Sequence, residues 1–239
     1  MHDTATQTVM ITGAAGNLGR SVGQAFLAAG ANLVLVDRQS AALQSAFGAE
    51  DSRQMFAPTD LLETAAVQAM VAEATGRFNR IDVLCHLAGG FRMGPAVHET
   101  DDKSWQWLFD INVRTLLNTA RAVVPAMLRA GGGHIVTVGA LSARQGLPQM
   151  GAYCAAKDAV ARLSEAMAAE LGAQNIRVNC VLPSVIDTPD NRAAMPDADA
   201  SNWVSPADIA QAMLWLASSH ARAVQGVTLP LIGSPKPAG

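Results

Sequence analysis

A glycine-rich turn joins an apolar strand to a helix near the start of the chain. Residues 8–11 are predicted to form a short buried strand, and Thr12-Gly-Ala-Ala-Gly-Asn-Leu-Gly19 follows it directly. A helical pattern then runs to Gly30, and a second apolar strand, residues 32–36, ends at Asp37. This order of strand, glycine turn, helix and strand is the first βαβ unit of a dinucleotide-binding sheet. It restricts the chain to a parallel sheet with helices packed against it.

Each glycine of this turn has its own task. Gly13 permits the tight turn, Gly16 lets the backbone approach a pyrophosphate, and Gly19 lets the helix pack on the sheet. The unpaired N–H groups at the start of the helix, at Asn17 and Leu18, are suited to receive the phosphate charge. These five residues are therefore predicted to bind the cofactor.

The end of the second strand bears on the choice between the two nicotinamide cofactors. Asp37 can accept hydrogen bonds from the ribose hydroxyls of an adenosine, and its charge would repel a 2′-phosphate, so NAD(H) is favoured. The guanidinium of Arg38 could bind that phosphate instead, which leaves NADP(H) as an alternative. A solvated surface charge is the other interpretation of Arg38.

Strands and helices continue to alternate along the remaining chain. Further strands are predicted at residues 53–57, 81–87, 134–139, 175–182 and 227–231, and further helices at residues 60–76, 104–129, 153–172 and 206–218. The pattern predicts an α/β protein: one Rossmann-type, doubly wound parallel sheet of about seven strands with helices on both faces, forming a single domain over residues 1–239. Residues 187–205 show no clear period and follow a strand end. They are interpreted as a substrate lid or as a plain surface loop.

Asp60-Leu61-Leu-Glu63 has the spacing of a capping box at the head of the predicted helix 60–76. Asp60 is predicted to cap that helix, to touch the adenine amino group, or to do both, with capping preferred. Further along, Ala88-Gly89-Gly90 follows a strand, and backbone with so little side chain could lie against a cofactor.

Tyr153 and Lys157 lie four residues apart in a helical pattern, so they share one helix face. An ammonium near a phenol favours the phenolate, and we therefore expect Lys157 to lower the pKa of Tyr153 from about 10. Such a tyrosine could donate and accept protons near neutral pH. Tyr153 is the only tyrosine in the chain.

Composition excludes several classes of partner. The net charge of −3 gives no basic surface for nucleic acid or an anionic membrane, and no apolar run is long enough to span a bilayer. The three cysteines are few and widely spaced, as expected of buried thiols in a reducing compartment, and the start of the chain shows no signal peptide. A cytoplasmic protein with a small-molecule substrate is predicted. The five histidines show no metal spacing, so no metal site is predicted.

Together these motifs resemble the short-chain dehydrogenase/reductase family over nearly the full length of the chain. The resemblance implies that Tyr153 and Lys157 form the catalytic pair, that Asn112 is the family's helix asparagine, and that a homodimer or homotetramer forms through the two long helices. It also implies further cofactor contacts, in addition to Tyr153 and Lys157 themselves, at Asp60, Leu61, Ala88, Gly89, Gly90, Pro183, Ile186 and Thr188.

One position departs from the family pattern. The catalytic serine expected thirteen residues before the tyrosine is Ala140 in this chain. Loss of one oxyanion donor typically costs about 10²–10³ in rate. Ser142 could replace it only if the loop folded back towards the tyrosine.

Dihydropteridine reductases, which this chain resembles in several segments, also lack that serine and use NADH. The similar segments are residues 88–91, 138–140, 151–153, 182–192 and 195–199, the last of which begins at Met195. A quinonoid pterin takes hydride into a conjugated system, so its charge spreads over the ring and no alkoxide forms. Phe91 could stack on such a ring, or could be a rim hydrophobe.

Three functions follow as hypotheses. The first is an NADH-dependent reductase of a conjugated substrate, of quinonoid or pterin-like type, with Tyr153 as proton donor and a water relay through Asn112. The second is an ordinary ketone, alcohol or 3-oxoacyl oxidoreductase that uses Ser142 or a water in place of the serine. The third is a nucleotide-binding sensor or scaffold without turnover.

Overall fold

The computed structural model describes residues 7–233. Its centre is one sheet of seven strands in the order β3-β2-β1-β4-β5-β6-β7, and every neighbouring pair is parallel. The strands are β1 (Thr8–Thr12), β2 (Asn32–Asp37), β3 (Gln54–Pro58), β4 (Val83–His86), β5 (Gly133–Val138), β6 (Ile176–Pro183) and β7 (Thr228–Leu231). The predicted fold class is confirmed.

Helices cover both faces of this sheet. They are α1 (Asn17–Ala28), α2 (Ser40–Phe47), α3 (Thr64–Phe78), α4 (Asp102–Phe109), α5 (Thr115–Arg129), α6 (Gly151–Leu171), α7 (Pro189–Ala194) and α8 (Pro206–Leu216). The sequence pattern did not predict α2, whose eight residues bury only Leu43. A helix this short shows too little periodicity to stand out.

Alternation along the inner strands divides the core between the two faces. In β1, Val9 and Ile11 pack into one apolar cluster and Met10 into the other. In β2, Leu33 and Val34 point to opposite faces in the same way. Since successive side chains of a strand point to opposite faces, an apolar run through a two-sided sheet supplies both cores at once.

The predicted long helix at residues 104–129 is interrupted. A π-helical turn, Asp110–Arg114, separates α4 from α5. The side chain of Asn112 donates to the carbonyl of Leu108 at 2.9 Å, one turn back, and so enters the helix's own hydrogen-bond ladder. A side chain inserted into the ladder is a recognised cause of such local widening, and π turns are frequent at functional sites.

The predicted helix cap at Asp60 is wrong. Helix α3 begins at Thr64, and its first flanking residue, Glu63, makes no side-chain cap. Asp60 instead accepts the backbone N–H of Leu62 at 3.0 Å, and its carbonyl accepts the N–H of Glu63. Aspartate often makes local turns of this kind. Here the Asp60 carboxylate bonds within the turn, so it does not cap the helix that begins at Thr64.

Residues 187–205 contain more regular structure than their sequence predicts. Helix α7 lies within them, and Thr188 caps it by accepting the N–H of Asn191. The base of the segment is fastened to the fold, because Ile186 pairs with Val204 in an isolated parallel bridge. The segment therefore forms a short helical excursion with a fixed base.

Candidate active site

The sheet places the predicted site at one edge. Strand order reverses between β1 and β4, and open parallel sheets bind ligands outside the carboxyl ends of the strands at such a switch point. The glycine turn after β1, Asp37 at the end of β2 and Ala88 beyond β4 all lie at this edge.

The glycine turn is shaped by close backbone contacts. Gly13 has φ +67°, a left-handed conformation that favours glycine, and a Cβ there would lie 3.1 Å from the N atom of Ala88. A Cβ on Gly19 would overlap the carbonyl oxygens of Gly13 and Ala14. Gly16 precedes α1 without any side-chain cap, so the first N–H groups of this helix point to the cleft without a side-chain acceptor. This is the arrangement that binds phosphate.

A cleft of about 390 Å³ opens in front of this turn, within the usual size range of ligand sites. Predicted residues that line it are Gly13, Gly16, Asn17, Leu18, Gly19, Asp37, Arg38, Asp60, Leu61, Ala88 and Gly89. Further lining residues, which sequence reasoning missed, are Val36, Thr59, Leu62, Leu87, Ile111 and Thr115. The small residues and the helix end fit a dinucleotide. The two lining carboxylates, Asp37 at the end of β2 and Asp60 after β3, lie where its adenosine would bind.

Asp37 is held against the glycine turn. Its carboxylate accepts the N–H of Ala15 at 3.0 Å and that of Arg38 at 2.8 Å. The Arg38 guanidinium lies 3.9 Å from the Asp60 carboxylate, and both side chains are largely exposed. An exposed pair of this kind contributes little to stability, so Arg38 is free to turn towards a ligand.

Asn112 connects the backbone after β4 to the π turn. Its Oδ1 accepts the N–H of Gly90 at 3.1 Å, and its Nδ2 donates to the carbonyls of Gly90 and Leu108. Both amide hydrogens are therefore used. A Cβ on Gly89 would lie 2.7 Å from this Oδ1 and 3.0 Å from Nζ of Lys157, so the three residues meet at one point. The side chain fixes the backbone of Gly90 against the π turn, and a water relay through Asn112 stays a prediction.

Tyr153 and Lys157 both lie on α6, as predicted. The ammonium of Lys157 is buried, with 7% of the residue exposed, and donates to the carbonyl of Val138 at 2.9 Å. Burial lowers the pKa of Lys157 to about 8. Burial raises the pKa of Tyr153 to about 12, and the neighbouring Cys154 adds to the rise. The predicted lowering of the tyrosine pKa by the lysine is wrong here, because desolvation of the phenol is the largest effect.

The raised pKa of Tyr153 and the lowered pKa of Lys157 determine which proton transfers the pair can support. A phenol with a raised pKa stays protonated at neutral pH and can act as an acid, which suits reduction. The lysine keeps its charge below a pH of about 8 and can stabilise the phenolate that forms when the proton leaves.

A pH dependence follows from the lowered pKa of Lys157. We expect kcat/KM for reduction to fall as the pH rises through about 8, because the lysine then loses its proton and the charge that stabilises the phenolate. Initial rates across a pH series measure it. In Lys157→Arg the guanidinium stays charged to a pH of about 12, so the falling limb should disappear. The same limb in both proteins would contradict this role.

Ala140 lies where a serine hydroxyl is usual in the family that the sequence resembles. It is buried in a small apolar cluster with Ala143 and Cys154, and Tyr153 packs against that cluster. Ser142 lies in a 3₁₀ turn, Leu141–Arg144, and its carbonyl accepts the Cys154 thiol at 3.6 Å. The wall beside the phenol is thus apolar at residue 140.

Phe91 lies against the predicted proton donor. Its ring meets that of Tyr153 edge to face, with centroids 4.9 Å apart, and 54% of the residue is exposed. The next residue, Arg92, stacks over Trp107 at 4.4 Å. Phe91 therefore offers an open aromatic surface beside the phenol.

Some predicted residues lie outside the dinucleotide cleft. Gly90 turns towards α4, where a Cβ would lie 2.9 Å from the Trp107 ring. The carbonyl of Ile186 already accepts a hydrogen bond from Asn191, and the hydroxyl of Thr188 caps α7. Pro183 ends β6, and Met195, 37% exposed, follows α7. Their contacts with cofactor or substrate stay predictions.

Asp190 makes a contact beside the cleft that sequence reasoning missed. It accepts a hydrogen bond of 2.9 Å from Nδ2 of Asn17, so α7 is tied to the start of α1. No local pattern could reveal this contact, since the two residues are far apart in sequence.

Among residues 7–233, no group of three or more His, Cys, Asp or Glu side chains is placed to hold a metal ion, and His2 lies outside this range. The three cysteines are buried free thiols, as expected. Within the same range, no helix combines the length and the apolar character that crossing a bilayer requires.

Comparison with known proteins gives consistent matches. Residues 7–199 match the short chain dehydrogenase family model. The D-threitol dehydrogenase of Mycolicibacterium smegmatis is 32% identical over 95% of this chain and 92% of its own. The carveol dehydrogenase of Mycobacterium avium, solved with NAD, has a TM-score of 0.86 at 30% identity and covers 97% of this chain and 98% of its own. The 3-ketoacyl-(acyl-carrier-protein) reductase of Brucella melitensis, solved with NADH, has a TM-score of 0.86 at 26% identity. The match covers 96% of this chain and 98% of that one.

The parallel sheet, the phosphate-binding turn and the Tyr–Lys helix define the class of the protein as an NAD(P)-dependent oxidoreductase. The chain belongs to the short-chain dehydrogenase family.

Proposed function

We propose that this oxidoreductase reduces a conjugated, planar acceptor, of quinonoid or pterin-like type, with Tyr153 as the proton donor. A bound nicotinamide would supply the hydride. Tyr153 gives up its proton, and the charge on Lys157 stabilises the phenolate left behind. Asn112 keeps the backbone of Gly90 and the π turn in place beside them.

The observation that carries this proposal is the apolar wall at Ala140. Reduction of a simple ketone builds negative charge on one oxygen, and a hydroxyl at this position would stabilise it. A conjugated acceptor spreads the charge over its ring, so it needs that donor less. The exposed ring of Phe91 supports the same substrate class, because offset stacking on an aromatic face favours planar ligands.

The test is a comparison of acceptors with the unmodified protein. NADH oxidation is followed with a quinonoid dihydropterin, a quinone and a set of aliphatic ketones and polyol-derived ketoses. The proposal expects turnover with the conjugated acceptors and rates for the ketones lower by about 10² or more. Faster turnover of the ketones would contradict it.

An ordinary alcohol, ketone or 3-oxoacyl substrate is the second candidate. The relatives of this chain include a D-threitol dehydrogenase and a 3-ketoacyl reductase, and their names fit this candidate equally well. A water or Ser142 would then take the place of the missing hydroxyl. Substituting Ser142 by alanine should lower ketone reduction if the serine serves this purpose, and unchanged rates would count against it.

We further propose that NAD(H) is preferred to NADP(H). The Asp37 carboxylate would meet a 2′-phosphate with like charge. The exposed pair of Arg38 with Asp60, at 3.9 Å, is weak, so the Arg38 guanidinium is the group that would hold the phosphate when NADP(H) does bind.

Asp37→Asn tests this preference. The amide oxygen can still accept the N–H of Ala15, but the charge is gone, so NADPH should bind about 10- to 100-fold more tightly and NADH more weakly. Dissociation constants of both cofactors, measured by fluorescence titration, provide the result. Arg38→Ala is the control and should weaken only NADPH. An unchanged ratio of affinities in Asp37→Asn would contradict the assignment.

Three further expectations belong with this proposal. Residues 187–205 would act as a lid over the substrate. The protein would be cytoplasmic. A homodimer or homotetramer would form through the faces of α5 and α6. The aromatic pair Trp105–Phe109, with ring centroids 4.6 Å apart at the surface of α4, adds apolar area next to α5. Light scattering with size-exclusion chromatography measures the oligomeric state.

A further inference from the structure

A buried histidine lies between the cofactor cleft and the catalytic helices. His86 ends β4 and is 2% exposed. Its Nδ1 lies 3.1 Å from Oγ1 of Thr12, and its Nε2 lies 3.5 Å from Oγ1 of Thr115. The two threonines come from the strand before the glycine turn and from the start of α5. The imidazole therefore bridges two parts of the site that are far apart in sequence.

The neighbouring hydrogen bonds determine the direction of this bridge. Oγ1 of Thr12 accepts the backbone N–H groups of Leu87 and Ala88, each at 3.1 Å. With both lone pairs occupied, the hydroxyl can only donate, and Nδ1 of His86 must be the acceptor. At the other end, the hydroxyl of Thr115 donates to the carbonyl of Ile111 at 2.8 Å. Thr115 is therefore the acceptor for an N–H on Nε2.

The chain of hydrogen bonds through His86 begins and ends at backbone groups of the site. It starts at Leu87 and Ala88, which line the dinucleotide cleft. It ends at the Ile111 carbonyl in the π turn, next to Asn112. That asparagine holds Gly90 and lies beside Gly89 and Lys157, so a shift of the π turn would move the lysine's surroundings.

We propose that His86, as the neutral tautomer with its proton on Nε2, is a positioning residue that holds the π turn of the catalytic helices in register with the cofactor cleft. The inference rests on the proposed oxidoreductase function for its kinetic consequence only. The tautomer of His86 and its two hydrogen bonds can be measured whether or not the protein turns over a substrate.

Electrostatics agree with the geometry. Burial lowers the pKa of His86 to about 3, and the charge of the nearby Lys157 adds to this lowering. A second proton on Nδ1 would also face a hydroxyl whose lone pairs are taken, so the cation has no acceptor there. The imidazole thus stays neutral throughout the working pH range.

The first test is the tautomer itself, read from ¹⁵N chemical shifts of the imidazole in the full chain. The proposal expects a protonated Nε2, an unprotonated Nδ1 and no titration above a pH of about 5. A proton on Nδ1, or a titration in the neutral range, would overturn it. This measurement needs neither substrate nor turnover, so a failure of the proposed function leaves its result intact.

The second test separates positioning from general stability with two matched variants. Thr115→Val removes the hydroxyl that ends the bridge. Thr119→Val, one turn further along α5, removes an equally buried hydroxyl that donates only to the carbonyl of Thr115, at 2.8 Å. Thr115 also lines the cofactor cleft, so kcat is compared at saturating NADH, where a change in cofactor affinity has no effect. Under that condition the bridge predicts that Thr115→Val lowers kcat about three- to tenfold and that Thr119→Val changes kcat by less than about twofold. Equal effects of the two variants on kcat would overturn the positioning role.

Two substitutions of His86 test both hydrogen bonds of the bridge together. His86→Phe removes both ends of the bridge, so it should lower kcat and also raise KM for NADH. His86→Gln retains one donor and one acceptor and should recover part of the loss. If His86→Phe fails to fold, the tautomer measurement and the two threonine variants still decide the matter.

Discussion

Substitution of Tyr153 by phenylalanine is expected to lower kcat by about 10²–10⁴, the usual contribution of a positioned general acid. Only the hydroxyl is lost, and the ring can keep its edge-to-face contact with Phe91 at 4.9 Å. The phenol has a raised pKa, so the wild-type protein holds the transferable proton at neutral pH, and the variant has none. Steady-state kinetics with a saturating acceptor measure the loss.

The control for this variant is cofactor binding. The dinucleotide cleft is lined by residues of the glycine turn, β2 and the segment after β4, and Tyr153 is not among its lining residues. The dissociation constant for NADH should therefore stay within about threefold of the wild-type value. A fully active Tyr153→Phe protein would show that another group donates the proton.

Introduction of a serine at residue 140 is expected to produce the second large effect. Ala140→Ser would place a hydroxyl in the small cluster against which Tyr153 packs. Because one oxyanion donor is typically worth about 10²–10³ in rate, kcat/KM for simple ketones should rise by about that factor. Reduction of a conjugated acceptor should change little, since its charge is spread over the ring.

Ala143→Ser provides the matched control for this gain. Ala143 belongs to the same buried cluster and has nearly the same exposure, 8% against 7% for Ala140. Ala143 lies in the 3₁₀ turn Leu141–Arg144, three residues beyond the position at which the family carries its serine, so a hydroxyl there should not raise ketone reduction. Equal gains from both serines, or none from Ala140→Ser, would contradict the proposed substrate class.

Patterns local in sequence predicted the fold well. The strand, glycine turn, helix and strand at residues 8–37 were sufficient to indicate a parallel sheet, and the remaining strands followed from apolar runs. These signals depend on periodicity and on the few residues that a turn tolerates, and both can be read from a sequence. The same reasoning located most of the residues that line the dinucleotide cleft.

Other features depend on contacts that the sequence does not display. The pKa of Tyr153 is governed by burial, which requires the packed structure, whereas spacing alone suggested the influence of Lys157. At Asp60, two local hydrogen bonds compete with capping, and the turn is the outcome. The π turn arises where Asn112 bonds to both Leu108 and Gly90, and Gly90 lies in the segment after β4, distant in sequence.

The hydrogen-bonded bridge through His86 is likewise a feature that the sequence could not predict. In the sequence, this histidine lies near the end of a predicted strand, residues 81–87, and has no partner at a recognisable spacing. Its two threonine partners are brought to it by β1 and α5, and only the three together define the tautomer. Polar networks of this kind combine elements distant in sequence, so they require coordinates.

The most direct test of the central claim, hydride transfer coupled to proton donation from Tyr153, is single-turnover oxidation of NADH by the wild-type protein in the presence of a conjugated acceptor. NADH deuterated at nicotinamide C4 serves as the comparison. We predict that bound NADH is oxidised, that the deuterated cofactor reacts more slowly, and that the rate falls as the pH rises through about 8, where Lys157 loses its charge. Binding of NADH without oxidation by any conjugated, quinonoid or ketone acceptor would contradict this claim.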